Sequence, residues 1–339
     1  FVSTKEGGFY MNYLSSASVD VTYRCNLRCR HCFDFGGECV YEEMNDDELI
    51  SVFRQLALID LSSICICGGE PILRFDLIRR AVRLVKELNR GTLVSMVSNG
   101  ILWTDEIADA LKRDGLDLVQ FSLDGLSDAS YDHVRLSNGK LHRVLDAIKI
   151  ARRHGIRVAV ASLPHARNIR EYPSIISFCE KEGVSDFRAQ PLMPLGRGEL
   201  NYKDLCLTPE QNDALAAYLS ARNAVSQMQI TWGDPVDHLY MYRETGRIPQ
   251  ICVNAYGELS VSPYLPITIW NLNRNTLQDY IDLEIDRYAL RHPIVEKCLA
   301  RIEELSDFTS IQQGASCSFQ RKEHRYISRI GGCCTCARG

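Results

Sequence analysis

Between residues 17 and 191, short apolar β-prone runs alternate with amphipathic helical stretches, and little else intervenes. The runs fall at 17–23, 61–67, 92–98, 116–122, 157–163 and 186–191. Asn45 is placed to cap the first helix, whose apolar stripe is Leu49, Val52, Phe53 and Leu56. Helical periodicity returns at 73–88, 104–112, 141–154 and 169–182. Six such strand–helix alternations with apolar strands imply an α/β fold, a parallel sheet covered by helices. Glycines and short polar residues follow the strands, as Gly68-Gly69-Glu70, Ser98-Asn99-Gly100 and Asp124-Gly125. Ligands bind at the carboxyl ends of strands in such folds, so these motifs are predicted to share one rim.

After residue 191 the pattern breaks. Pro and Gly crowd 193–197, a helix is predicted near 211–221, and a strand–turn–strand surrounds Gly257. The predicted organisation is an N-terminal extension at 1–16 and a main domain at 17–200. A linker or helical region at 201–250 and a small Cys-rich domain at 251–339 follow. The net charge of −4 gives no support to a nucleic-acid binder that works by neutralising phosphates. No apolar run reaches membrane-spanning length, and 1–8 lack the pattern of a signal peptide. The expected location is the cytoplasm, away from membranes.

Fourteen cysteines are too few for a disulfide scaffold, and in a reducing compartment their clustering reads as metal binding or catalysis. Cys25-Asn-Leu-Arg-Cys29-Arg-His-Cys32 follows the first strand directly. Three thiolates on one loop can hold three corners of an iron–sulfur cube and leave the fourth iron open to an outside ligand. A zinc knuckle completed by His31 or Cys39 is the other use of the same run.

Taken with the later motifs, the run resembles that of the radical S-adenosylmethionine (radical SAM) superfamily. Gly68-Gly69-Glu70-Pro71 resembles its glycine-rich motif. Ser98-Asn99-Gly100 and Ser122-Leu123-Asp124-Gly125 resemble its next strand ends, and Pro194-Leu195-Gly196-Arg197 a segment after the sixth strand. The resemblance covers about residues 17–200 and implies a partial (β/α)6 barrel. It implies a [4Fe–4S] cluster on Cys25, Cys29 and Cys32, and S-adenosylmethionine on its open iron. Gly68, Gly69, Glu70, Pro71, Ser98, Asn99, Ser122, Asp124, Arg135 and Arg197 become candidate cofactor-binding residues. Glycine lets backbone approach a ligand, Glu70 can accept from an ammonium, and Arg135 and Arg197 can pair with a carboxylate. Asp124 can reach ribose or substrate and is also a catalytic candidate.

The segment from Cys252 to Pro263 resembles the hairpin of SPASM or twitch auxiliary-cluster domains, and Gly331-Gly332-Cys333 resembles their end. Tyr264 stands where many relatives have a cysteine. The resemblance implies one auxiliary [4Fe–4S] cluster on Cys252, Cys317, Cys333 and Cys336, with Cys334 competing for the last place. A structural zinc site from the same residues is the alternative. Cys65 and Cys67 lie two apart on one strand and so share a face. Buried thiols often serve only as small apolar groups.

The implied activity is formation of a 5′-deoxyadenosyl radical that abstracts hydrogen from a ribosomally synthesised peptide and leads to a thioether or carbon–carbon crosslink. An epimerase using a Cys hydrogen donor, or an enzyme acting on a small metabolite, is the alternative. The implied partners are a precursor peptide and a reductant such as flavodoxin or ferredoxin. No obvious winged-helix leader-peptide module is read before the barrel, so the expectation is a separate leader-peptide-binding protein or direct docking of the leader on the sheet.

Overall fold

The structure, a computed structural model, describes residues 13–302 except 40, 234 and 235. It adds the backbone of four short strands at 2–3, 9–10, 325–327 and 333–334. The predicted strands form as β1 (Ser16–Asp20), β2 (Ser63–Cys67), β3 (Leu93–Ser98), β4 (Leu118–Ser122), β5 (Arg157–Ser162) and β6 (Asp186–Ala189). Each pairs in parallel with the next. The helices between them are α1 (Asp46–Ala57), α2 (Phe75–Leu88), α3 (Asp105–Asp114), α4 (Asp128–Arg135), α5 (Leu141–Arg153) and α6 (Tyr172–Lys181). Asn45 caps α1 in a reciprocal capping box with Glu48. The short helix α4, capped by Ser127, was not legible in the apolar periodicity.

The parallel sheet is wider than six strands. After α7 (Pro209–Asn223), β7 (Gln229–Trp232) adds to β6 in parallel. After α8 (Asp237–Thr245), β8 (Gln250–Val253) adds to the opposite edge, parallel to β1, with Cys252 beside Ser18. Strands β9 (Glu258–Ser262) and β10 (Leu265–Asn271) continue it as an antiparallel hairpin. Beyond β10 lie β11 (Arg325–Ile327) and β12 (Cys333–Cys334), giving a twelve-stranded sheet ordered β12-β11-β10-β9-β8-β1-β2-β3-β4-β5-β6-β7. One sheet thus runs through the regions that the sequence divides near 200 and 251.

Strand alternation sorts the two faces. In β2, Ile64 and Ile66 are fully buried in the core shared with the helices, whereas Ser63, Cys65 and Cys67 stay partly open on the other face. In β1 the same split buries Ala17 and Val19 and leaves Ser16, Ser18 and Asp20 open. The concave face is therefore polar. No helix among the described residues is long and apolar enough to cross a membrane.

Candidate active site

The loop after β1 carries Cys25, Cys29 and Cys32, and its backbone is pressed against the end of β2. Gly69 N donates to Thr22 O at 2.7 Å, and Glu70 N to Arg24 O at 2.9 Å. A Cβ at Gly68, whose φ is +131°, would stand 2.3 Å from Thr22 O, and one at Gly69 2.3 Å from Arg24 O. The double glycine is thus required by the chain's own cysteine loop. From the other side, Gly196 (φ +58°) leaves room for Phe33 O, which a Cβ would meet at 2.3 Å.

The sulfurs face backbone and side-chain donors. Leu27 N lies 3.4 Å from Cys25 Sγ and Gly36 N 3.2 Å from Cys32 Sγ. Arg135 Nη1 lies 3.8 Å from Cys29 Sγ, and Asn99 Nδ2 3.9 Å from Cys25 Sγ. Burial pushes all three thiols up. Among the described residues no three His, Cys, Asp or Glu side chains gather as they would around a single metal ion.

Most polar residues expected to hold a ligand are engaged by the chain. Fully buried Glu70 accepts from Ser98 Oγ at 2.8 Å, Asn99 N at 2.8 Å and Ile72 N at 3.3 Å. Burial lifts its pKa to about 7. Ser98 Oγ also accepts from Trp103 Nε1 at 3.0 Å and Gly100 N at 3.1 Å. Asn99 Nδ2 donates to Asn26 Oδ1 at 2.7 Å, which fixes its amide at the cysteine loop. Pro71 is buried at the first turn of a short 3-10 helix that Glu70 caps. Ser122 is buried at the end of β4.

Two expected roles change. Asp124 is fully buried, and its carboxylate is taken by Arg135 Nε and, at 2.7 Å, by Leu163 N. Burial pushes that carboxyl up, but the Arg135 charge, His31 and the Leu163 N–H together hold it below the ordinary value. It aims Arg135 at Cys29 and does not reach outward for ribose or substrate. Arg197 uses its guanidinium on Cys29 O (2.8 Å), Gly36 O (2.8 Å) and Glu38 Oε1 (3.0 Å). It clamps the cysteine loop, and a ligand carboxylate would have to displace those contacts.

Below the rim, three thiols meet. Cys67 Sγ lies 3.4 Å from Cys65 Sγ, and Cys252 packs at the same face beside Ser18. Donation from Cys67 lowers the Cys65 pKa and raises that of Cys67, while burial pushes the Cys252 thiol up to about 12. Register links Cys252, Ser260, Thr268, Tyr326 and Cys334 in one row across β8 to β12. Four strand spacings separate its ends, about 19 Å. Cys252 is an expected tail-cluster ligand whose side chain is described, and the side chains of Cys333 and Cys334 are not. Cys317 and Cys336 lie outside the described residues.

A cavity of about 580 Å³ opens on the concave face, lined by Gln120, Asp186, Arg188, Thr231, Gln250 and Tyr264, among others. Tyr264, at the tip of the β9–β10 hairpin, packs edge-on against Phe33 with ring centroids 5.5 Å apart. Phe33 follows Cys32, so the cavity wall touches the cysteine loop. Sequence reasoning missed Arg188 and Asn26. A charged residue alternating with buried Phe187 in β6 is the signal that points to the first.

A family model described as the radical SAM superfamily matches residues 19–179. The chain carries a radical SAM domain over those residues. Pre-heme d1 synthase of Dinoroseobacter shibae is 32% identical over 189 residues, 54% of this radical SAM chain and 44% of its own length. The sporulation killing factor maturation protein SkfB of Bacillus subtilis is 28% identical over 247 residues, 71% and 56% of the two chains. GTP 3′,8-cyclase of Clostridium botulinum is 29% identical over 209 residues, 60% and 63%. The chain spans about half the length of the curated relatives it matches. The fold resembles Streptococcus suis SuiB bound to S-adenosylmethionine, with a TM-score of 0.67 at 14% identity over 83% of this chain and 68% of that one. It also resembles anSMEcpe with bound AdoMet, with a TM-score of 0.65 at 15% identity, 88% and 95% covered.

The radical SAM domain implies a [4Fe–4S] cluster and S-adenosylmethionine, and the residues fit. Cys32 Sγ, Cys25 Cβ and Gly69 Cα converge within 3.6 Å of one point, the place a Cβ on Gly36 would take. His31 Nδ1 is buried beside Cys32 with no hydrogen-bond partner, an unpaired polar atom that a ligand would satisfy.

Proposed function

We propose that this radical SAM enzyme abstracts hydrogen from a ribosomally synthesised peptide and closes a thioether or carbon–carbon crosslink during peptide maturation. The observation that carries the reading is the polar cavity whose wall, at Tyr264 and Phe33, reaches the cysteine loop. Similarity to SkfB, a maturation protein, over 71% of the chain supports it. When bound, the reduced cluster with S-adenosylmethionine supplies a carbon-centred radical able to take hydrogen from an unactivated C–H bond. Cys25, Cys29 and Cys32 hold the cluster. Arg135, oriented by Asp124, faces Cys29, and the neighbouring N–H groups stabilise the thiolates once iron displaces their protons. The hairpin tip shields the cavity from water. Cys252, Cys317, Cys333 and Cys336, with Cys334 competing for the last place, would hold an auxiliary cluster, which would supply an acceptor for the electron that bond formation leaves over. A small reductant protein such as flavodoxin or ferredoxin, and a leader-binding partner, complete the reading.

A second reading is favoured by the Cys65–Cys67 pair. Two thiols in contact on the cavity face suit a hydrogen donor to a substrate radical, hence a redox-neutral inversion of an α-carbon.

The test is the iron and sulfide content of anaerobically reconstituted protein beside a Cys25/Cys29/Cys32→Ala variant. It is joined to mass analysis of a candidate precursor peptide in D2O. About eight irons falling to about four, with a product 2 Da lighter, fits a crosslinking enzyme with one tail cluster. A product 1 Da heavier that is lost with Cys67→Ala selects inversion. Iron that does not fall in the triple variant removes the cysteine loop from the mechanism.

A further inference from the structure

We propose that Arg188 is the receptor for a carboxylate of the peptide substrate, held in the cavity beside the cysteine loop. The pleat of β6 buries Phe187 against the helices and turns Arg188 to the concave face. The Arg188 side chain makes no ion pair or hydrogen bond with any described residue. Asp186, on the same strand face, accepts from Ser185 Oγ, and His238 Nε2 lies 2.7 Å from Ser262 Oγ. The guanidinium nevertheless has a prepared place: a Cβ at Gly233 would stand 2.6 Å from Arg188 Nε. Trp232 and Tyr264 flank it in the cavity wall.

An always-charged planar fork with no anion paired to it among the described residues matches a carboxylate, which takes two parallel N–H donors. A phosphate fits worse, because Asp186 and Asp237 also line the cavity and would repel a second negative charge. The side chains of Gln120, Gln250 and Thr231 likewise make no hydrogen bond with the described residues, and each can both donate and accept. That is the requirement of peptide amides, so the inference rests on the peptide reading above. The carboxylate comes from an acidic side chain or from a free peptide C-terminus.

The experiment is ligand-observed NMR titration of the full reconstituted chain and of its R188Q and R188K variants. The probes are acetyl-Gly-Glu-Gly-amide, acetyl-Gly-Gly-Gly with a free carboxylate, neutral acetyl-Gly-Gln-Gly-amide, and glutarate. At least one carboxylate tripeptide is expected to bind about tenfold or more tighter than the neutral one. The tighter of the two identifies the source of the carboxylate. R188Q is expected to erase that preference and R188K to retain part of it. Equal binding of charged and neutral tripeptides, or a preference that survives R188Q, overturns the inference and leaves the peptide reading standing. Arg188-dependent binding of glutarate as tight as that of either tripeptide overturns the peptidic part, and with it the peptide reading.

Discussion

The rim and the cavity below it are both rich in polar residues, but they treat those residues in opposite ways. At the rim, Glu70, Ser98, Asp124 and Arg197 are satisfied by the chain itself. In the cavity, the side chains of Arg188, Gln120, Thr231 and Gln250 have no partner among the described residues. Polar groups that the fold satisfies are part of its stability. Polar groups that it leaves open add little stability and remain available to a ligand. The rim is thus a frame that fixes the cysteine loop, and the cavity is the polar surface that the fold leaves open.

The comparison predicts its largest effect at Asp124. Asp124→Asn removes the anion opposite buried Arg135 and leaves the guanidinium uncompensated. The expected loss is about 3–5 kcal/mol of unfolding free energy, read by denaturant titration of the apo chain. A loss under about 1 kcal/mol would place Asp124 outside the frame and restore a ligand role for it.

Glu70 sharpens the point through pH. Its folded pKa of about 7 lies above the ordinary 4.5 because burial disfavours the carboxylate. Between those values the folded chain keeps a proton that the unfolded chain releases, so this group's contribution falls as pH rises from about 4.5 to 7 and levels off above. Glu70→Gln does not titrate. The stability difference between wild type and this variant should shift against wild type by at most about 3 kcal/mol across the window. A difference that is flat with pH would mean that Glu70 is ionised throughout and reaches solvent or a ligand.

The same division explains what the sequence shows and hides. The strand order β1 to β6 and the cysteine loop follow from periodicity and from Cys25, Cys29 and Cys32, because both are local patterns. The extra parallel strands do not: the partner of β8, β1, is distant in sequence, and β7 is only four residues long with no apolar run to mark it. Residue type also misleads where a motif serves the chain. Gly68-Gly69 admits the backbone of Thr22 and Arg24, and Arg197 clamps that loop, although glycine and arginine alone equally suit a ligand. Cys252, whose motif points to a tail cluster, is seated by strand pairing beside Ser18, across the row from Cys65. Arg188 is hidden for the opposite reason: no motif surrounds it, and only closure of the sheet shows that no described residue forms an ion pair with it.

The smallest predicted effect is the cleanest comparison, because it removes one hydroxyl from each region. Ser98 Oγ joins Glu70, Gly100 and Trp103, so Ser98→Ala leaves a buried indole N–H and a carboxylate oxygen each short of a partner. A loss of about 1–3 kcal/mol follows. Thr231→Val removes a cavity hydroxyl that no described residue uses and keeps the branched shape that a strand favours. Its unfolding free energy should stay within about 0.5 kcal/mol of wild type. Equal losses at the two positions, measured by the same denaturant titration, would dissolve the distinction between frame and binding surface. A destabilised Thr231→Val beside an unchanged Ser98→Ala would reverse it.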